Sequence, residues 1–325
     1  MKLAGIDIGT NTLRLLIAEF SADGKYRTVE SGRNITRLGE GVSSAGCLKD
    51  EAMDRALGVL KGYAETCSVH HVDSIYAVAT SAVREAANGR EFLSRVKDET
   101  GIEVKVISGE EEARLSMLGV SSALEISGHD VLMMDIGGGS TEFIMVSKGN
   151  IEFRKSTDIG VVRFSEQYIK SDPPQRKEMD LLEMAILDHL QREGCFIGLK
   201  ESGRIPAGIQ FIGTAGTVTT LAAIDQMMQV YEPEKINGYR ISIGGVNNIL
   251  IMLAGMTNKE RINLPGVEEG REDLIVAGAL TAYKVMEWFG FDEMTVSDAG
   301  LREGLVADLY RQLNRDSDYL FVDNK

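Results

Sequence analysis

The sequence predicts an α/β fold built twice, with mixed sheets covered by helices, and three observations predict it. Short apolar runs alternate with helix-length amphipathic segments in the order β-β-β-α-β-α-β-α. The same three-strand opening then restarts near Val131. Aligned on their aspartates, DIGTNTLRLLI from Asp7 and DIGGGSTEFIM from Asp135 share Asp-Ile-Gly and keep strand periodicity afterwards. A chain of 325 residues is also long for one core and suits two domains. The expected division is residues 1–125 and 126–301, with a C-terminal helix 302–325 packing back on the first domain. Ile126-Ser127-Gly128 is the expected hinge, and a cleft is expected between the copies.

Taken in order, Leu3–Ile8 and Leu13–Phe20 read as strands joined by the turn Gly9–Thr12, and Tyr26–Gly32 completes a meander. Thr36–Leu48 lacks periodicity and reads as a loop. Asp50 is the expected N-cap of a helix through Cys67, with Met53, Leu57, Leu60 and Ala64 on one face. Strand Ser74–Ala79, a helix after Ser81, strand Glu103–Ile107 and a helix from about Glu110 follow. In the second copy, strands are expected at Val131–Ile136, Glu142–Ser147, Ile151–Ser156, Ile209–Gly213 and Met294–Ser297. Helices are expected at Gln175–Arg192, Thr217–Met228, Gly245–Ala254, Glu268–Phe289 and Leu301–Leu313.

Bulk chemistry excludes several classes. The net charge of -14 repels nucleic acid and anionic membranes at long range, and 6% aromatic residues supply no stacking platform. An anion site must therefore be local, built from backbone amides, a metal and a few arginines. Cys47, Cys67 and Cys195 form no CxxC pattern, and His70, His71, His129 and His189 have no metal-ligand spacing. No run of 18 apolar residues exists, and the N-terminus enters a strand at once, without a leader. A reducing, cytoplasmic setting is expected, and a homodimer is compatible with the chain.

Asp135-Ile136-Gly137-Gly138-Gly139-Ser140-Thr141-Glu142 is the strongest chemical signal. Three glycines remove every Cβ from the turn, so phosphate can approach the amides, and Ser140 and Thr141 add hydroxyls. Asp135 and Glu142 flank the turn as a carboxylate pair suited to Mg²⁺, with Mn²⁺ an alternative. The plainer alternative is a hairpin with solvated carboxylates. In the first copy Thr10, Asn11 and Thr12 offer a second cradle, and Asp7 could hold a metal-bound water; Arg14, on the outgoing strand, reads as a strand-surface residue. Ile107-Ser108-Gly109-Glu110-Glu111-Glu112 ends a strand and opens a helix. Three acids there complement the macrodipole, and one of them could orient the attacking water. Arg84, in Ala79-Thr80-Ser81-Ala82-Val83-Arg84, suits bidentate phosphate contact, as do Arg33 and Arg37 beside a glycine loop. Gly213-Thr214-Ala215-Gly216-Thr217 follows a strand and caps a helix, again an anion-binding geometry. Asp298 and Arg302 sit at a last strand-to-helix turn.

DIGTNT, ATSAVREA, ISGEEEARLSMLGV, MMDIGGGSTEF, GTAGTVTTLAAI and SDAGLREGL occur in the order seen in exopolyphosphatases and guanosine pentaphosphate phosphohydrolases. The chain resembles that family from Leu3 to about Tyr310. The resemblance implies two duplicated ribonuclease-H-like domains of the actin-like ATPase superfamily. It implies that Glu112, the acid directly before alanine in ISG-x-EEA, activates the attacking water. Asp135 and Glu142 match the metal-associated carboxylates, the two glycine turns match phosphate-binding loops, and Arg84 matches a residue expected near the phosphate chain. Longer relatives carry a C-terminal extension that helps bind long polyphosphate, so the short form implies short chains. Removal of terminal phosphate from inorganic polyphosphate is the leading expectation. Guanosine pentaphosphate hydrolysis is the alternative within the class; outside it stand an actin-like ATPase or kinase and a non-catalytic polyphosphate or alarmone sensor.

Overall fold

A short apolar run, buried on both faces, forms β1 (Lys2–Ile8), which pairs antiparallel with β2 (Thr12–Phe20) and parallel with β4 (Ser74–Ala79). In this computed structural model the residues described are 1–126, 128–192, 196, 205–206, 208–314 and 322–323. β3 (Tyr26–Ile35) and β5 (Val104–Val106) complete a five-stranded sheet in the order β3-β2-β1-β4-β5. One face of this sheet presents Ala4, Ile6 and Ile8, which pack on Met53, Leu57 and Leu60 of α2 (Asp50–Val69). The other face presents Leu3, Leu16, Ala18 and Phe20 to Val306 and Leu309 of the helix Leu301–Asn314. That helix therefore belongs to the first of the two compact units, Met1–Ser122 with Ala299–Leu320, although it ends the described helical chain.

The second unit, Ala123–Asp298 with Phe321–Lys325, repeats the plan. β6 (Val131–Ile136), β7 (Thr141–Ser147), β8 (Asn150–Thr157), β9 (Gln210–Thr214), β10 (Arg240–Ser242), β11 (Glu293–Val296) and β12 (Val322–Asp323) form a sheet in the order β10-β11-β9-β6-β7-β8-β12. Its inner strands, β8-β7-β6-β9-β11, run as β3-β2-β1-β4-β5 do, the order of a ribonuclease-H-like domain. The duplication extends to defects: the register slips between Ile17 and Ala18 in β2 and between Met145 and Val146 in β7. Both slips lie at the same offset from Asp7 and Asp135. One large apolar core, including Phe143, Phe164, Phe196, Leu221 and Met286, holds this unit together. The two units thus share one plan, each a mixed sheet flanked by helices.

Several local expectations are corrected. The helix expected after Ser81 is split into α3 (Ser81–Glu85) and α4 (Gly89–Thr100). Asn88 between them turns its side chain to the backbone of Leu48, donating at 3.0 Å and accepting at 2.8 Å, which competes with a continuous helix. Lys49, not Asp50, is the N-cap of α2, and Asp50 lies in the first turn, where its charge suits the macrodipole. The expected loop Thr36–Leu48 contains the short α1 (Val42–Ala45), and the helix expected at Glu268–Phe289 begins at Ile275, after glycines at positive φ (Gly266, Gly270). The helix α6 (Val161–Tyr168), amphipathic but only eight residues long, and the three-residue strand β10 were not expected. The expected hinge residue Ser127, Cys195 and the chain after Asn314, apart from β12, lie outside the described residues. No helix among the described residues is long and apolar enough to cross a membrane.

The helix α5 (Gly109–Ala123) meets Leu301–Asn314 at glycines. A Cβ on Gly119 would lie 1.8 Å from the Gly300 carbonyl oxygen, and one on Gly304 would lie 1.9 Å from that of Leu115. Backbone therefore touches backbone. Gly119→Ala should lower unfolding stability by about 3 kcal/mol, near the top of the usual overpacking range, as read by urea denaturation. A change below about 0.5 kcal/mol would show that the crossing yields at little cost.

Candidate active site

In each unit the chemistry collects at the carboxyl ends of the central strands, where open α/β sheets place their ligands. In the first unit the turn after β1 is closed by Gly9 N–H donating to the Thr12 carbonyl at 3.2 Å. The backbone after β3 leans on this turn: Thr36 and Arg37 N–H donate to the Asn11 carbonyl (3.0 and 2.9 Å), and Gly39 N–H donates to that of Thr10 (2.8 Å). Thr10, Asn11, Thr12 and Asp7 are all buried as a result. Arg33 and Arg37 end up on the same rim, Arg33 within β3 and Arg37 just past it.

The three acids of the α5 first turn have three different fates. Glu110 is exposed. Glu111 accepts two bonds of 2.9 Å from Arg114, which also reaches Asp308 at 3.0 Å, so it ties α5 to the C-terminal helix. Glu112 alone is buried, 9% exposed, with Arg84 Nη1 3.7 Å from its Oε2. Arg84 is itself held by donating to the Ile107 carbonyl at 2.8 Å. The guanidinium and the helix N-terminus together offset the cost of burying the Glu112 charge. Arg84 thus stands beside the candidate base, a role that its placement on a strand-to-helix turn did not reveal.

In the second unit the turn after β6 is closed at the equivalent position, by Gly137 N–H donating to the Ser140 carbonyl at 2.9 Å. Val161 and Val162 N–H donate to the carbonyls of Gly137 (3.1 Å) and Gly138 (2.8 Å), as the post-β3 segment does in the first unit. A Cβ on Gly160 would lie 2.2 Å from the carbonyl carbon of Gly139, so the glycine run also admits this second strand of backbone. Asp135 and Glu142 stand directly opposite in the β6–β7 register, hence on one face of the sheet, and Glu142 is 0% exposed. Ser156 Oγ donates to Glu142 Oε1 at 2.7 Å. The Thr141 hydroxyl is committed to the Ile159 carbonyl at 2.5 Å, and Ser140 is the second hydroxyl of this turn.

The GTAGT segment ends β9 and opens the helix Ala215–Asp225. Ala215 adopts φ 69, a conformation uncommon outside glycine, and Thr214 Oγ1 donates to the Ser297 carbonyl at 3.1 Å. Gly216 has a specific reason to be glycine: a Cβ there would lie 2.3 Å from Arg271 Nη2. Arg271, buried and oriented by Glu268 at 3.0 Å, covers this helix start. Sequence reasoning missed Arg271, because it lies in the irregular Gly270-Arg271-Glu272 stretch far along the chain, and only a Gly–Arg contact marks it. Thr217 is buried, its methyl 2.4 Å from a Cβ placed on Gly278.

The structure thus gathers Asp7, Thr10, Asn11, Thr12, Arg33, Arg84 and Glu112 in one unit, and Asp135, Gly137–Glu142, Gly213, Thr214, Gly216 and Thr217 in the other. Two opposed, buried carboxylates are a site that a small hard cation fits, since Mg²⁺ takes one or two carboxylates and completes its shell with phosphate and water oxygens. Among the described residues no three Asp, Glu, His or Cys side chains form a cluster, so an all-protein cage is not on offer. Asp7, the third expected ligand, lies in the first unit, opposite Arg14.

Comparison with known proteins shows the family to which the chain belongs. A family model for the Ppx/GppA phosphatase family matches residues 16–313. Exopolyphosphatase 2 of Mycobacterium tuberculosis is 34% identical over 320 residues, covering 95% of this chain and 98% of that protein. Among solved structures, an exopolyphosphatase from Cytophaga hutchinsonii superposes with a TM-score of 0.86 at 31% identity, covering 99% of this chain and 100% of the other. The Aquifex aeolicus Ppx/GppA family member gives 0.78 at 33% identity, with 98% and 99% covered. The family match and the exopolyphosphatase relatives indicate a phosphoanhydride hydrolase, here built on two duplicated α/β units. The chain belongs to the Ppx/GppA phosphatase family.

The Glu142–Ser156 bond carries a direct prediction. Ser156→Ala removes a donor from a fully buried carboxylate and should destabilise the protein by about 2 kcal/mol. Guanidinium unfolding checks it, and an unchanged midpoint would show that the hydroxyl contributes nothing there.

Proposed function

We propose that the chain releases terminal orthophosphate from inorganic polyphosphate, short chains included, with Glu112 as general base. The observation that carries this reading is the fate of the α5 acids: one carboxylate of three is buried at a strand end, beside Arg84, in a chain matched end to end by exopolyphosphatases. In the proposed reaction Glu112 takes a proton from water, and the water oxygen bonds to the terminal phosphorus. The bond from that phosphorus to the bridging oxygen breaks, and the shortened chain leaves with its electron pair. Asp135 and Glu142 would hold a divalent cation, Mg²⁺ or Mn²⁺, which supplies charge stabilisation to the phosphate oxygens when bound. The amides of Gly137–Ser140 and of Gly9–Thr12, with the hydroxyls of Ser140 and Thr10, orient phosphate oxygens. Arg271 at Gly216 would add a cation to the second unit's turn residues.

Orthophosphate release from polyphosphates of graded length, with guanosine pentaphosphate and ATP as controls, tests the substrate. Turnover of either nucleotide above that of polyphosphate would overturn the assignment. Glu112→Gln should lower kcat by about 10³-fold while leaving the fold intact, since a positioned base contributes about 10²–10⁴; normal release would refute its role. Asp135→Asn and Glu142→Gln should each raise the Mg²⁺ concentration for half-maximal rate at least tenfold, the equivalent of about 1.4 kcal/mol. A metal titration reads this directly, and an unchanged requirement would move the cation elsewhere.

A further inference from the structure

The backbone after β3 is held against the first glycine turn, residues 9–12, in a position that costs free energy. Arg37 has φ 50, a left-handed conformation that a residue with a Cβ adopts only under constraint. Thr36 is 2% exposed, and its hydroxyl has no hydrogen-bond partner among the described residues. A Cβ on Gly39 would lie 2.3 Å from Thr10 Cγ2, so the approach is as close as glycine permits. The bonds from the Thr36, Arg37 and Gly39 N–H groups to the Asn11 and Thr10 carbonyls offset part of the cost. They join the segment to the turn, and Leu38, buried in the apolar core, anchors it to the unit at one point.

A further hold comes from α2. Arg55 Nε donates to the carbonyl of Thr36 at 3.0 Å, on the same residue whose N–H bonds Asn11. Its Nη2 lies 3.5 Å from Glu40 Oε2, and Lys49 Nζ donates to the other oxygen of Glu40 at 2.7 Å. α2 thus grips the segment at both ends, Thr36 and Glu40, with the positive φ of Arg37 between them. Arg55 links the two ends, because one planar fork reaches both acceptors. Its side chain is 47% exposed and stands outside the apolar core, so the fold does not depend on it.

We propose that Arg55 is a positioning residue: from α2 it holds residues 36–40 on the first glycine turn and so fixes the turn amides that orient phosphate. It acts through the backbone of another segment and not on the substrate. The proposal rests on the polyphosphate reading above for its consequence, weaker binding of the chain; the clamp itself stands apart from that reading.

The test compares the full chain with its Arg55→Gln and Arg55→Lys variants. Amide hydrogen exchange is followed over residues 36–40, and steady-state orthophosphate release from polyphosphate gives KM and kcat. Arg55→Gln should speed exchange of the Arg37 and Gly39 amides about tenfold, with the β1 and β2 amides unchanged. KM should rise about tenfold with kcat within about threefold, since Glu112 is not disturbed. Arg55→Lys keeps a charge near Glu40 but lacks the fork, and should recover part of both effects. A merely structural role would instead lower the active fraction, read as a smaller apparent kcat at unchanged KM. Unchanged exchange over the segment overturns the proposal, and so does an unchanged KM, whatever the melting point. Were the wild type to release no orthophosphate from any polyphosphate, the functional reading itself would fall. The exchange comparison would then decide the clamp alone, faster exchange in Arg55→Gln supporting it and equal exchange refuting it.

Discussion

Both units are organised around a tight turn whose first glycine N–H is spent on a carbonyl three residues ahead, Gly9 to Thr12 and Gly137 to Ser140. That bond fixes the register of the flanking strands, and the register fixes which side chains face one another. Asp135 meets Glu142, and Asp7 meets Arg14, only because each hairpin closes at this length. The turn carbonyls are then taken up by the segment that follows the third strand, through Thr36–Gly39 in one unit and Val161–Arg163 in the other. With these carbonyls turned to protein, the amides of the turn are the groups proposed to meet phosphate. The glycines make this double approach sterically feasible, as the near-contact of Gly160 with Gly139 shows.

The residue proposed as base is held by a different device. Glu112 sits at a helix start and not on a hairpin, and its helix is pinned by backbone contact at Gly119 and Gly304 and by the Glu111–Arg114–Asp308 network. Adjacent acids thus divide the work: Glu111 anchors the helix, and Glu112 is buried beside Arg84. A carboxylate in such a setting has little rotational freedom, which suits positioning of a water molecule. The C-terminal helix Leu301–Asn314 is therefore part of the frame around Glu112, although it lies far from it in sequence.

Much of the architecture was legible in the chain because duplication writes the same periodicity twice. Strand β1, strand β6 and the glycine turns after them stand out as short apolar runs followed by residues that tolerate close backbone approach. Helix ends were less legible. Whether Ser81 opens one helix or two depends on where the Asn88 side chain finds a partner, and that partner, Leu48, is remote in sequence. Strand β10 is three residues long and exists only because β11 offers it an edge.

By itself the sequence determined the two-fold α/β plan, the paired aspartates, the glycine run and the acid cluster of α5. Their physical content is local: strand alternation, glycine at close approaches, acids at a helix start. Tertiary structure decided which of the three α5 acids is buried, that Arg84 lies beside it, that Arg271 covers Gly216, and that Arg14 occupies the place of Glu142. Each of these is a contact between segments distant in the chain. It follows from sheet register and helix packing, which no local pattern of residues records.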